Sequence, residues 1–263
     1  MTAERVLPLV GGRNFRDLGG YATQDGRRLR WGRVYRSGVL TYLTESDREV
    51  IRQRDIRVVC DLRTKSERQR EPTQWPIAAA TQLNWDYDPR HTSLRGYLTP
   101  TTELSPDVVR GSMVSLYQNL PRLFRTPYAA LFAELATGTA PMVFHCSAGK
   151  DRTGVAAALL LTSLGVPHDI ILADYELTNK VVDLEAELFQ HPTSSIGIGE
   201  EYSHLTRLDA ATRAPLLRAM PEYLQAAFEQ IVSEHGSVQD YLRIQLGLTA
   251  EAQQRMQAQL LES

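Results

Sequence analysis

Residues 143–154 read VFHCSAGKDRTG, which puts a thiol (Cys146), an ammonium (Lys150), a carboxylate (Asp151) and a guanidinium (Arg152) on one short stretch. An apolar run precedes them and an alanine- and leucine-rich run follows, so they occupy a turn between a buried strand and a helix. Backbone N–H groups in such a turn converge, and the helix N-terminus adds partial positive charge; together they form an anion cradle. A thiol at a helix N-terminus beside a guanidinium is favoured as the nucleophilic thiolate. Arg152 can hold two phosphate oxygens through its planar fork, which lysine cannot do. Gly149 allows close approach of the backbone to the anion. The Thr153 hydroxyl is placed to donate to the thiolate or to a departing phosphate.

The flanking sequence predicts the elements that position this turn. VYRSGVL reads as a strand entering a loop, and IRVVCDLR as a buried parallel strand that releases polar groups at its carboxyl end. Between them, Thr44 and Asp47 form a capping box for a helix with Val50 and Ile51 on its apolar face. TQLNWDYDP is a further strand with its exit loop. Ser105 and Pro106 start one helix, Thr126 and Pro127 another that ends at Gly138, and Gly165 and Pro167 close the helix after the turn. In the C-terminal third, Leu224, Phe228, Ile231 and Val232 share a helix face, Ser237 with Asp240 caps the next segment, and Thr249 caps the last helix. Alternating strands and helices mean an α/β fold with a central, mainly parallel sheet, in which ligands bind beyond the carboxyl ends of the strands.

Bulk properties narrow the function classes. The chain has 263 residues, 43% hydrophobic and 23% charged, and nothing in it marks a linker, so 1–263 reads as one domain. A net charge of -2 gives no general attraction to nucleic acid or anionic membrane. Lysine occurs only at 65, 150 and 180, which singles out Lys150. Two cysteines exclude a disulfide framework and a four-cysteine metal site. The N-terminus lacks a basic leader and long apolar run, and VAAALLLTSLGV is too short to span a bilayer. A cytoplasmic protein is expected, with specialised secretion left open.

The Cys-x5-Arg spacing is weak by itself, but the whole string HCSAGKDRTG is specific. It resembles the HCxxGxxRTG signature of cysteine-dependent protein tyrosine phosphatases, and its Lys-Asp pair is similar to the HCxxGKDRTG loop of the atypical bacterial members. NFRDLGGY, VYRSGVL, VVCDLRTKSERQREP and ILADYELTN also resemble pieces of that subfamily, from about residue 12 to 180 and more loosely through HGSVQDYLRIQLGLT. The resemblance implies a phosphatase-like α/β fold with extra helical, lid-like segments. It implies hydrolysis of phosphomonoesters through a phosphocysteine, with no metal or cofactor. Cys146 would be the nucleophile and Arg152 the clamp, with the backbone of Ser147, Ala148, Gly149, Lys150, Asp151 and Arg152 completing the cradle. Implied partners are phosphotyrosine proteins, with phosphoserine, phosphothreonine and phosphoinositides as further substrates.

Several assignments stay open at this level. The leaving group needs an acid, and Asp151, Asp61 or one of Asp86 and Asp88 could supply it; Asp61 could instead brace the loop by pairing with an arginine such as Arg16. Lys150 at this position is similar to phosphoinositide phosphatases, where added charge meets further phosphates. Cys60, by analogy with related lipid phosphatases, could form a reversible disulfide with Cys146 or be a small buried hydrophobe. Segments 91–125 and 181–220 are candidate lids, with TSSIGIGEEYS reading as mobile, and 221–263 as helices packed on the core. A phosphate-binding pseudophosphatase would lack Cys146 or Arg152. A sulfurtransferase would not need Gly149, Thr153 and Arg152, and a thiol oxidoreductase would need Cys-x-x-Cys.

Overall fold

The computed structural model describes residues 4–87, 104–190 and 208–263. Asp88 and the whole TSSIGIGEEYS segment lie outside the described residues. Strands β1 (Arg16–Asp17) and β2 (Arg28–Leu29) come first, then β3 (Val34–Ser37), helix α1 (Glu45–Arg52), β4 (Val58–Asp61), α2 (Lys65–Arg70) and β5 (Thr81–Asn84). Helices α3 (Pro106–Leu123) and α4 (Arg125–Thr137) precede β6 (Met142–His145). There follow α5 (Asp151–Ser163), α6 (His168–Glu176), α7 (Thr178–Val181), α8 (Leu184–Gln190), α9 (Ala210–Leu217), α10 (Pro221–His235), α11 (Val238–Asp240), α12 (Ala250–Leu260) and β7 (Leu261–Glu262).

The main sheet has the order β1-β3-β6-β4-β5, with β1 antiparallel and the other neighbours parallel. β6 is central, and its last residue His145 lies opposite Ser37 of β3 on one side and Asp61 of β4 on the other. The chain therefore leaves β6 at a point flanked by two strand ends, where a parallel sheet opens a crevice. All four residues of β3, β4 and β6 are buried, the pattern of strands covered on both faces. One face packs on α5 and α10 through Phe144, Leu159, Leu160 and Leu224, and the other on Phe15, Ile51 and Val143.

The capping reading holds at α1, where Thr44 and Asp47 bond reciprocally, and at α3 and α12, capped by Ser105 and Thr249. Two local expectations are corrected. Helix α4 starts at Arg125 with no side-chain cap, because only the buried Phe124 separates it from α3 and its N–H is already bonded to Leu120. Thr126 thus sits inside the first turn. Val232 is half-exposed rather than on the packed face of α10, since the buried stripe runs through Tyr223, Leu224, Ala227 and Ile231. Helix α3 buries Val109, Met113, Leu116, Tyr117 and Leu120, so residues 106–123 help to form the core. Among the described residues no helix is long and apolar enough to cross a membrane.

Candidate active site

The loop Cys146–Lys150 joins β6 to α5, and its backbone polarity is sorted by direction. The carbonyl of Ser147 accepts from the Val39 N–H at 2.8 Å and that of Ala148 from Asn14 Nδ2 at 3.2 Å. The carbonyl of Gly149 accepts from Asn14 Nδ2 and Arg36 Nη2, both at 2.9 Å. The Tyr128 hydroxyl donates to the carbonyl of Arg152 at 2.9 Å. With the carbonyls taken from outside, the amides face the other way. Among the described residues none of the N–H groups from Ser147 to Arg152 donates to a protein group. These six donors, continuous with the N-terminus of α5, have the polarity of an anion site.

Gly149 is required twice over. Its φ is +67°, and a Cβ there would come within 2.6 Å of both the Gly38 nitrogen and the Ser37 carbonyl oxygen. A side chain would force the loop off the end of β3.

Cys146 is buried at the start of this loop. Arg152, six residues on, turns back over it. Its Nη1 and Nη2 donate to Glu67 Oε2 and Oε1 at 2.8 and 2.7 Å, a bidentate pair. The Ser147 hydroxyl donates to the same carboxylate at 2.7 Å. Burial opposes ionisation of Glu67, but Arg152 and Ser147 outweigh it and hold its carboxyl down to about 2. Glu67 in turn more than offsets the burial of Arg152 and keeps the guanidinium charged. Thr64 and Glu67 also form the capping box of α2, so one side chain anchors a helix and aims the arginine.

The Thr153 hydroxyl is fully buried and has no hydrogen-bond partner among the described residues. It remains available to a group at the loop.

The candidate acids separate by environment. Asp61 accepts from Arg63 Nε at 2.9 Å, Arg63 Nη2 at 2.7 Å and the Thr73 hydroxyl at 2.9 Å. Burial works against its charge, but His145 and the Arg63 guanidinium win and hold the carboxyl well below the usual range. Asp61 therefore has no proton to give near neutral pH. It braces the strand end through Arg63, not Arg16. His145 comes within 3.5 Å of Asp61 without an aligned hydrogen bond, and burial pushes its imidazole down to about 4, so it is neutral at physiological pH. Asp86 lies at the exposed rim, paired with Arg68 at 2.5 Å and Lys65 at 3.7 Å. Asp151 is partly exposed at the first turn of α5 and accepts from the Tyr117 hydroxyl at 2.8 Å. Tyr117 and Tyr175 share a 2.5 Å hydrogen bond, and burial together with Asp151 keeps both phenols protonated.

Lys150 is buried, with its ammonium 3.3 Å from Asp151 and donating to the carbonyls of Leu216 and, at 3.4 Å, Arg218. It is turned onto the C-terminal end of α9. Cys60 is buried on β4 opposite Phe144, and burial pushes its thiol far up, so it is a neutral packing group in this state.

Arg16 belongs to a second cluster. With Arg36 it grips Asp174 of α6, through Arg16 Nε at 3.3 Å and Arg36 Nη1 at 2.5 Å. The Tyr21 hydroxyl donates to the same carboxylate at 3.0 Å. Burial opposes the charge of Asp174, but the two guanidinium groups hold it down to about 2.

A sequence profile described as the tyrosine phosphatase family matches residues 7–262. The chain belongs to this family. It is 35% identical to a putative tyrosine-protein phosphatase of Cupriavidus necator, over 88% of this chain and 80% of that protein. It is 31% identical to the triple specificity protein phosphatase PtpB of Mycobacterium tuberculosis, over 97% of this chain and 99% of that one. A tyrosine-protein phosphatase of Nostoc commune is 30% identical over 54% of this chain and 47% of its own length. This is a phosphatase of that family, on its mixed α/β fold. The earlier family resemblance is upheld, and its quoted segments acquire physical roles: NFRD and VYRS supply Asn14 and Arg36, which tether the loop carbonyls, and Arg16 and the Asp174 of LADY hold those two in place. Glu67 went unrecognised in the sequence, although the Thr64-x-x-Glu67 spacing directly after β4 signalled a capping box beside the site.

Proposed function

We propose that this chain hydrolyses phosphotyrosine through a phosphocysteine on Cys146. The observation that carries the reading is the loop itself: six consecutive N–H groups with no protein acceptor among the described residues follow directly on a buried thiol. A phosphate placed there meets those amides and draws the Arg152 guanidinium from its present partners. The sulfur attacks phosphorus in line, the P–S bond forms as the P–O bond breaks, and the leaving oxygen takes a proton from Asp151. Water then attacks phosphorus, returns a proton to Asp151 and expels the sulfur as thiolate. Thr153 donates to that sulfur. Asp151 is favoured as the acid because it stands partly exposed on the first turn of α5 at the loop, whereas Asp61 is held by three donors from Arg63 and Thr73 and Asp86 stands at the exposed rim.

The kinship with a triple specificity phosphatase supports a broader site that also takes phosphoserine and phosphothreonine. The direction of Lys150 favours phosphotyrosine over polyphosphorylated inositols, since its charge is spent on α9 carbonyls.

The test is turnover of p-nitrophenyl phosphate and a phosphotyrosine peptide with a chelator present. Cys146→Ser should lose activity by on the order of a thousandfold or more, with no phosphoenzyme trapped by acid quench. Asp151→Asn should retain trapping but release a phenol leaving group about a hundredfold more slowly. Undiminished turnover in Cys146→Ser would sink the thiolate mechanism.

A further inference from the structure

Arg13 stands beside the phosphate-binding loop. A Cβ on Gly38 would lie 3.2 Å from the Cβ of Arg13, 3.0 Å from the Ser147 carbonyl oxygen and 3.2 Å from the Ala148 carbonyl carbon. Gly38 thus lets the root of the Arg13 side chain and the loop backbone meet at one point. From there the guanidinium lies over the Tyr42 ring, 4.4 Å from its centroid, a favourable seat for a cation.

Its only ion pair among the described residues is with Glu187 of α8, Nη2 to Oε2 at 2.6 Å. That approach is close but off the N–H axis. Neither Arg13 Nη1 nor Glu187 Oε2 has a hydrogen-bond partner among the described residues, though both are shut off from water. The Arg13 side chain is 5% exposed. Charge is met by charge there, while a buried donor goes unused, which is costly. Arg16 and Arg63, buried nearby, each donate several aligned bonds instead. A carboxylate approaching Arg13 from another direction could take both of its Nη groups at once.

We propose that Arg13 is a second anion subsite, filled in this state by Glu187, and that it receives an acidic side chain flanking the phosphotyrosine of a peptide substrate. The inference rests on the phosphotyrosine reading above. A carboxylate is the anion the pocket already holds, and α8 places two glutamates, Glu185 and Glu187, in its first turn. α8 therefore mimics an acidic peptide and competes with one; binding of the peptide displaces Glu187.

The experiment uses two phosphotyrosine peptides identical except for Glu or Gln beside the phosphotyrosine, and reads the ratio of their kcat/KM values. In the parent the Glu peptide should be preferred. Glu187→Gln removes the internal competitor and should raise the ratio by about tenfold, the worth of one charge-assisted hydrogen bond. Arg13→Gln should bring it to about one. Both peptides see the same preparation, so partial misfolding scales them together and leaves the ratio intact. Equal ratios in all three proteins, or a preference that persists in Arg13→Gln, would overturn the subsite. Turnover of p-nitrophenyl phosphate but of neither peptide overturns the peptide subsite alone; turnover of nothing overturns the hydrolase reading and the subsite with it.

Discussion

Two arginine–carboxylate clusters flank the phosphate loop and use the same chemistry for opposite purposes. On the β1–β3 side, Arg16, Arg36 and Asp174 are shut off from solvent, and Arg36 spends one N–H on the Gly149 carbonyl. On the β4–α2 side, Glu67 grips Arg152 in a partly open setting, next to amides that have no protein acceptor among the described residues. The first cluster fixes the carbonyl side of the loop and has nothing to exchange with a ligand. The second holds a charged guanidinium beside the amides, its two Nη groups engaged by Glu67, the Leu62 carbonyl and the Ser147 hydroxyl. The difference is one of degree: a fully buried ion pair is strongly destabilised when one partner is lost, whereas the Glu67–Arg152 pair keeps a small opening to solvent.

The sharpest way to break this comparison is Asp174→Ala. It strands two buried guanidinium groups and should cost about 3–5 kcal/mol of stability, seen as a large fall in thermal midpoint and a loss of soluble enzyme. A well-folded variant would show that Asp174 is no scaffold. Glu67→Gln should leave the thermal midpoint far closer to the parent's while lowering kcat/KM by roughly tenfold to a hundredfold, the worth of a charge-assisted pair. If the two variants lost stability equally, the division into scaffold and working cluster would fail.

Titration separates the clusters from the strand-end histidine. Glu67 and Asp174 sit near 2 in the folded protein against ordinary values of 4.5 and 3.8. Their depressed values contribute stability above the unfolded pKa, and it is lost as pH falls from about 4.5 to about 2. His145, lowered from 6.5 to about 4, favours the neutral form in the fold, so its contribution is present above 6.5 and lost between 6.5 and 4. Thermal melts across pH should therefore decline in two stages, and His145→Gln should flatten the upper one. The smallest effect is expected from Tyr117→Phe, which removes one donor to Asp151. A fall in kcat/KM of about three- to tenfold, with the alkaline limb of the pH profile moved to higher pH, would mark a positioning role. A uniform loss with an unmoved limb would mark Tyr117 as packing alone.

The catalytic loop was legible in the sequence because its residues are contiguous: Cys146, Gly149 and Arg152 share one turn whose strand and helix carry strong apolar signals. Its supports were not. Asn14, Arg36, Glu67 and Tyr117 reach the loop and the first turn of α5 from four separate parts of the chain, and no local spacing reports that Asp174, which holds Arg36, meets two arginines from strands more than a hundred residues earlier. Asp61 shows the limit from the other side. Its place at a strand end was readable, but only the geometry of Arg63 shows that its charge is permanently committed. The start of α4 was misjudged because Thr-Pro is a valid start signal, whereas the preceding helix supplies its own continuity through Phe124.

The two-stranded ladder of β2 and β7 pairs Arg28 with Glu262 and Leu29 with Leu261, reinforced by the Arg30 N–H donating to the Leu260 carbonyl at 2.8 Å. Its partners lie far apart along the chain, so pairing them carries a large loop-closure cost. One side of β2 is satisfied locally by residues 20–22, whereas the side facing β7 stays open until residues 261–262 reach it. Until then that edge is open to other strands, which makes the seam a place where a partly folded chain can mispair.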